Sequence, residues 1–299
     1  MQVDARVEAW ASLQLVPGLG TRAVVALLKA LGDPVAVRNA SQATLARLVA
    51  GELAAAIRRG PDPIQLERTL AWLARSGHSL FAWDDADYPA ALLSIADPPP
   101  VFYLVGRREL LSRPALTIVG SRSATAQGTG DAEAFAAALS GAGLTIVSGL
   151  GGGIDAAAHR GGLAGPGSSI AVLATGLDCI FPAANRPLAE RLAAGGALVS
   201  EFPLGTAPLA ANLPQRNRVL SGLARGVLVV EATLYSGSLS IARIAAEQGR
   251  EVFAIPGSIH SPFSKGGHRL IKDGAKLVET AADVLEELRL PATAPREEP

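Results

Sequence analysis

Leu144–His159 reads LTIVSGLGGGIDAAAH, and three kinds of residue follow one another in it. The apolar start (Leu144, Ile146, Val147) has the length of a buried strand. Gly149, Gly151, Gly152 and Gly153 predict a tight turn that lets another group approach closely. From Ile154 through the alanines to His159 the residues are good helix formers. Strand, glycine turn, helix is how a doubly wound α/β sheet builds an anion site. The turn's N–H groups and the helix N-terminus face the ligand together. The glycine spacing does not match G-x-G-x-x-G with an acid about 20 residues on, and the chain has no GK[ST] sequence. A phosphate site is expected here; a bound NAD or ATP is not, and no cofactor is expected.

Outward from this stretch, apolar runs recur at Leu116–Val119, Ile170–Ala174, Ala197–Val199, Val227–Val230 and Val252–Ile255. Alanine-rich helical segments separate them at Thr125–Leu139, Asp155–Ala164, Pro187–Ala194, Arg216–Leu223 and Ser238–Gln248. Continuous apolar strands alternating with helices predict a mostly parallel sheet covered on both faces. This α/β part is expected over residues 86–289, ending in a helix at Asp283–Arg289. Residues 290–299, rich in proline and charge, are expected to be a disordered tail.

Residues 1–85 have a different pattern and predict a small all-α domain. Helices at Asp4–Leu15 and Thr21–Leu31 are joined by VPGLG (Val16–Gly20). A helix at Gln42–Val49 starts from Ser41, and one at Ile64–Ser76 from Asp62 and Pro63, an N-cap followed by N1 proline. Leu80–Trp83 reads as a short strand. Tyr88–Gly106 marks the boundary: Pro98, Pro99 and Pro100 stop any helix, and Val101–Val105 restarts as a strand. VPGLGTRAVVALL looks like a helix-hairpin-helix (SAM-like) module, whose hairpin N–H groups can hold a DNA phosphate. The plainer reading is a helical corner.

The chain has 299 residues, 27 Lys and Arg against 27 Asp and Glu, and a formal net charge of +0. No global field advertises a nucleic-acid partner, so any polyanion site must be local. No apolar run reaches the roughly 18 residues of a membrane span, and MQVDARVEAW has neither region of a signal peptide. One cysteine, Cys179, excludes a disulfide framework within the chain and fits a reducing, cytoplasmic compartment.

Four further segments carry anion-binding chemistry. IVGSRSAT (Ile118–Thr125) ends a strand, where ligands of open α/β sheets bind: Gly120 admits a ligand, Ser121 offers a hydroxyl and Arg122 a forked cation. NLPQRNRVLSGL (Asn212–Leu223) places Gln215, Arg216, Asn217 and Arg218 near a helix start, where cations oppose the helix dipole unless an anion is bound. In EATLYSGSLSIA (Glu231–Ala242), Ser236, Gly237 and Ser238 follow a buried strand and open a helix. SKGGHRLIKDGA (Ser264–Ala275) reads as a basic loop with Lys265, Arg269 and Lys272.

With YPAAL, DPPPVFY, AVLATGLD, FPAAN, SEFPLG and AAEQGREVFAIPG, these motifs stand in one order from Asp87 to about Asp283. In that order the chain resembles the DNA-processing protein A family (DprA, also called Smf), single-strand DNA-binding loaders of RecA. It departs from the family pattern in SGLGGGID for SGLAxGID, LPQRNR for FPxRNR, SGSLSIA for SGSLITA, and AQG after GSR-xx-T. Leu213 thereby replaces a possible base-stacking phenylalanine. The resemblance implies a Rossmann-like domain that binds single-stranded DNA, dimerises and hands the strand to RecA during natural transformation. Many members of that family carry a C-terminal winged helix, for which this chain is expected to stop too early. Arg122, Arg216 and Arg218 would then neutralise phosphates. Main-chain N–H groups near Gly120 and at Gly237–Ser238 would hold others. Asn217 would read a base edge or orient a loop.

The rival class is an enzyme: the broad fold also resembles nucleotide phosphoribohydrolases of the lysine-decarboxylase-like family. Their PGGxGTxxE motif is missing from EATLYSGSLSIARIAAEQG. Asp155 and His159, at i and i+4, are an acid/base candidate, though such pairs are more often structural; Glu231 is a further carboxylate. No GxSxG elbow is present, and the scattered histidines and lone Cys179 offer no zinc spacing. No catalytic residue and no metal are expected.

Overall fold

The computed structural model describes residues 4–290. Its strands are β1 (His78–Ala82), β2 (Val101–Gly106), β3 (Ala115–Val119), β4 (Thr145–Ser148), β5 (Ser169–Val172), β6 (Ala197–Ser200), β7 (Gly226–Val229), β8 (Glu251–Ala254) and β9 (Lys276–Leu277). They form one sheet in the order β1-β2-β6-β5-β4-β3-β7-β8-β9. The β1–β2 and β2–β6 pairs are antiparallel and all others parallel. From β3 the chain winds outward to β6, then returns to the other side of β3 as β7. It is the doubly wound, Rossmann-like α/β fold that the alternating runs predict.

Helices α1 (Ala5–Gln14), α2 (Thr21–Leu31), α3 (Pro34–Asn39), α4 (Gln42–Leu45), α5 (Gly51–Arg59) and α6 (Pro63–Leu73) precede β1, and α7 (Ala90–Leu93) precedes β2. After β3 each strand is followed by one helix: α8 (Ala126–Gly141), α9 (Ile154–Leu163), α10 (Arg186–Gly195), α11 (Leu213–Gly222), α12 (Gly237–Glu247), α13 (Lys265–Lys272) and α14 (Ala281–Glu287). Successive strand residues feed opposite cores. Leu116 and Ile118 pack with Ala132 and Leu139 of α8 and Ile154 of α9. Val119 packs on the other side with Leu220 of α11 and Ile241 of α12.

The N-terminal helices build their own cluster around Leu13, Leu27, Val37, Leu45 and Ile57. They also share a core with the sheet, where Trp10, Val24 and Trp72 meet Tyr103, Leu173 and Leu204. Strand β1, on the N-terminal side of the expected 85/86 boundary, is hydrogen-bonded into the sheet. Ser41 and Asp62 cap their helices as expected, accepting from Thr44 N–H and Ile64 N–H.

The structure corrects several expected elements. The helix after Ser41 ends at Leu45. Helix α3 follows Asp33–Pro34, the same cap-and-proline signature as Asp62–Pro63. Helix α11 begins at Leu213, and Lys265–Lys272 is helix α13 where a loop was expected. The α13 glycines serve packing: a Cβ on Gly266 would lie 2.6 Å from the Ala232 carbonyl oxygen. Apart from Leu290, the tail reading falls outside the described residues. Among the described residues no helix is long and apolar enough to cross a membrane.

Candidate nucleic-acid interface

Where crossovers leave neighbouring parallel strands in opposite directions, a crevice opens at the strands' carboxyl ends. Here that reversal lies between β3 and β7. A cleft of about 310 Å³ occupies it, walled by Gly120–Ser123 after β3, Thr233 and Ser236–Ser238 before and within α12, and Leu213, Arg216 and Asn217 of α11. It unites Gly120, Ser121, Arg122, Arg216, Asn217, Gly237 and Ser238 from three segments far apart in sequence.

Backbone contacts fix the loop after β3. Ser121 N–H donates to the Glu231 carbonyl at 2.7 Å, and the Ser121 carbonyl accepts from Ile154 N–H at 3.1 Å. Glycine is required at 120 by close approach, since a Cβ would lie 2.6 Å from Ile154 Cγ1 and 2.8 Å from the Glu231 carbonyl oxygen.

The glycine turn behind it is held by three side chains. Asp155 accepts from Gly151 N–H at 3.2 Å. Asn185 Nδ2 donates to the Leu150 and Gly151 carbonyls at 2.8 and 2.9 Å. His159 Nε2 accepts from Leu150 N–H at 3.3 Å, steadying a leucine whose φ is 58°, a region uncommon outside glycine. The His159 Nδ1–H then faces Ser169 Oγ at 2.8 Å, and that hydroxyl donates to the Ile146 carbonyl at 2.8 Å. This chain fixes one neutral tautomer. His159 is fully buried while Asp155 lines the cleft, and among the described residues each is hydrogen-bonded to the glycine turn and not to the other.

Burial pushes the His159 pKa down to about 3. The unfolded chain, with an ordinary histidine near 6.5, therefore takes up the proton first. The associated stability is present above about pH 6.5 and drains away toward pH 3, at about 1.4 kcal/mol per pH unit. Between pH 6.5 and 5, denaturant titrations should show about 2 kcal/mol lost from this source. A His159→Gln protein, less stable at neutral pH, should have a correspondingly shallower acid slope.

Electrostatics in the cleft favour an anion. Arg216 lies so close to the glycine turn that a Cβ on Gly149 would overlap its Nη1. Its one hydrogen bond, Nη1 to the Val172 carbonyl, is 3.5 Å long, and its Nε has no partner among the described residues. Burial disfavours its charge, with Asp155 opposing that effect and Arg122 adding to it; a guanidinium nonetheless stays protonated. Arg122 is exposed at the rim. The α12 N-terminus, capped by Ser236, adds first-turn N–H groups and a partial positive charge. Asp155 is the one acid in the lining, and burial pushes its carboxyl up, with Arg216 pulling it back. The balance is locally positive in a neutral chain. Ser236, which opens α12 with Gly237 and Ser238, also lines the cleft, as do Ser123, Leu213 and Thr233, which lie within the same three sequence motifs.

Three expected residues lie elsewhere. Arg218 faces away from the cleft, with Nη2 at 2.6 and 2.7 Å from the Glu201 carboxylate and Nε at 3.3 Å from Asp97. Gln215 lines a separate recess with Trp10, Gln14 and Glu201. Residues two apart on a helix point in nearly opposite directions, so Arg216 and Arg218 cannot share a site. Lys272 is exposed at the end of α13 and is not in the lining. Glu231 accepts from Thr125 N–H at 2.9 Å and Thr125 Oγ1 at 2.6 Å, bracing the residue that caps α8. Among the described residues no cluster could hold a metal ion.

The model of the DNA recombination-mediator protein A family matches residues 79–289. Protein Smf of Escherichia coli is 48% identical over 225 residues, 75% of this chain and 60% of that one, so the chain spans about 60% of that relative's length. DNA processing protein DprA of Streptococcus pneumoniae is 45% identical over 203 residues, 68% of this chain and 72% of that one. The crystal structure of DprA from Streptococcus pneumoniae matches with a TM-score of 0.83 at 34% identity, covering 96% of this chain and 99% of that one. A Helicobacter pylori DprA structure, described for its single-stranded DNA binding mode, matches with a TM-score of 0.64 at 28% identity over 71% of this chain and 95% of that one. A family model spanning most of the chain, relatives near half identity and a shared fold lead to one conclusion: the chain belongs to the DNA recombination-mediator protein A family, whose members carry the names DprA and Smf.

Proposed function

We propose that this protein grips the phosphate backbone of single-stranded DNA in the cleft between β3 and β7, as part of DNA processing in recombination. The observation that carries this reading is Arg216. It is a guanidinium held against the glycine turn, its Nε without a partner among the described residues, beside Arg122 and a helix N-terminus in one cleft. A charge kept so poorly compensated is arranged for an anionic ligand. The names of the relatives and the Helicobacter pylori structure's single-strand binding mode support DNA as that ligand.

In this proposal residues 86–289 bind DNA, the helices of residues 1–85 are a structural module, and no catalytic step is involved. Asp155, His159 and Glu231 all serve the turn and the α8 cap. Presentation of the strand to RecA in the cytoplasm by a homodimer, during natural transformation, rests on the family resemblance. Two cleft copies would add avidity to a confined site.

Fluorescence anisotropy of labelled oligo-dT beside the matching duplex tests the reading. Binding should prefer the single strand. If each cleft neutralises roughly three phosphates, log affinity should fall with log salt at a slope of about −2 per cleft. No binding, or equal binding to duplex, would refute it.

A further inference from the structure

Arg122, Asp155, Leu213 and Arg216 form a divide with a second compartment, of about 440 Å³, on its far side. Its walls are apolar where the cleft is polar: Leu173, Pro182, Pro208, Phe181 and Leu209 line it. Phe181 keeps 57% of its surface exposed and Leu209 58%, and neither belongs to a hydrophobic cluster among the described residues. The segment carrying the ring is nevertheless fixed. Four residues on, Asn185 is hydrogen-bonded to two carbonyls of the glycine turn.

An exposed aromatic ring in an apolar recess, one guanidinium away from a phosphate seat, is the surface that a nucleotide's two halves require. We propose that this compartment receives a nucleobase of the strand whose phosphate lies in the cleft, with Phe181 as its stacking face. The inference rests on the proposed function and adds to it a base subsite and a source of strand selectivity. A base can enter only when turned out of its stack, which a paired duplex resists and a single strand allows. Stacking on a ring face is tolerant of sequence, so all bases should be accepted.

The test compares the parent, Phe181→Ala and Phe181→Trp on labelled oligo-dT and on an abasic oligonucleotide of equal length. Phe181→Ala should weaken oligo-dT binding by about 5- to 150-fold, the range for loss of one base–aromatic stack. It should leave abasic binding and the salt slope unchanged, while Phe181→Trp retains affinity. The exposed side chain makes these variants safe for folding, and a melting curve checks it. Parental affinity for oligo-dT in Phe181→Ala would overturn the base subsite alone. An equal loss on the abasic strand would also overturn it, showing that Phe181 merely shapes the loop. A parent that binds neither strand would remove the proposed function itself.

Discussion

Arg216→Met should weaken single-strand binding by about 10- to 150-fold, the loss expected for hydrogen bonds to a charged group. Its folding stability should hold or rise. The two effects have one cause. Among the described residues Arg216 Nε has no partner, and its one hydrogen bond is 3.5 Å long. The protein therefore keeps a partly desolvated cation that does little for the fold. No hydrogen bond joins Arg216 to Asp155 among the described residues, so the substitution removes only the attraction that pulls the Asp155 carboxyl back, and Asp155 keeps its bond from Gly151 N–H. Methionine should fill the space over Gly149 without the cost of removing charge from water. Anisotropy titration and a thermal melt on the same preparation separate the two quantities. Retained affinity would remove Arg216 from the binding site; lost stability would show that the guanidinium serves the fold.

Gly153→Ala should lower stability by about 2–5 kcal/mol, combining left-handed backbone strain of about 1–2 with backbone overpacking of about 1–3. Gly153 has φ 62°, and a Cβ there would overlap the Ser121 carbonyl oxygen and stand 2.7 Å from that of Arg122. The Ser121 carbonyl is the acceptor for Ile154 N–H, the bond that ties the loop after β3 to the start of α9. Relief of the clash must push Ser121 and Arg122 outward, so DNA affinity should fall with stability. Gly152→Ala is the matched control. Its φ is not in the left-handed region, and its nearest new contact is the Arg122 carbonyl at an ordinary 3.5 Å. Urea unfolding of both variants should show a large drop for one and little for the other. Equal effects would mean that the glycines act through chain flexibility.

Much of this arrangement was legible in the sequence because the physics is local. Apolar runs short enough for strands, separated by alanine-rich helices, give a doubly wound sheet. The rule that ligands bind at strand carboxyl ends then singles out Gly120–Arg122 and Ser236–Ser238. QRNR reads as one block in the sequence, although residues two apart on any helix point in nearly opposite directions. With α11 beginning at Leu213, 100° per residue sends Arg216 and Asn217 to the cleft and Arg218 to Glu201. Asp155 and His159 show the reverse limit. Four residues apart share a helix face, yet that face runs from the cleft lining to the buried core within one turn. Helix α3 was readable in Asp33–Pro34, and α13 was hidden by Gly266, which packs against Ala232, and Gly267, which packs against the Ile255 carbonyl. Phe181 left no periodic signal, since its place beside the cleft comes from tertiary contacts of a loop.

The salt dependence of oligo-dT affinity for Arg122→Ala, measured beside the parent, bears most directly on where the strand lies. A phosphate held by Arg122 at the end of β3 requires weaker binding at low salt. It also requires a log–log slope shallower by about 0.7, one single-strand phosphate contact. A variant with the parent's affinity and slope would place the DNA somewhere other than the crevice between β3 and β7.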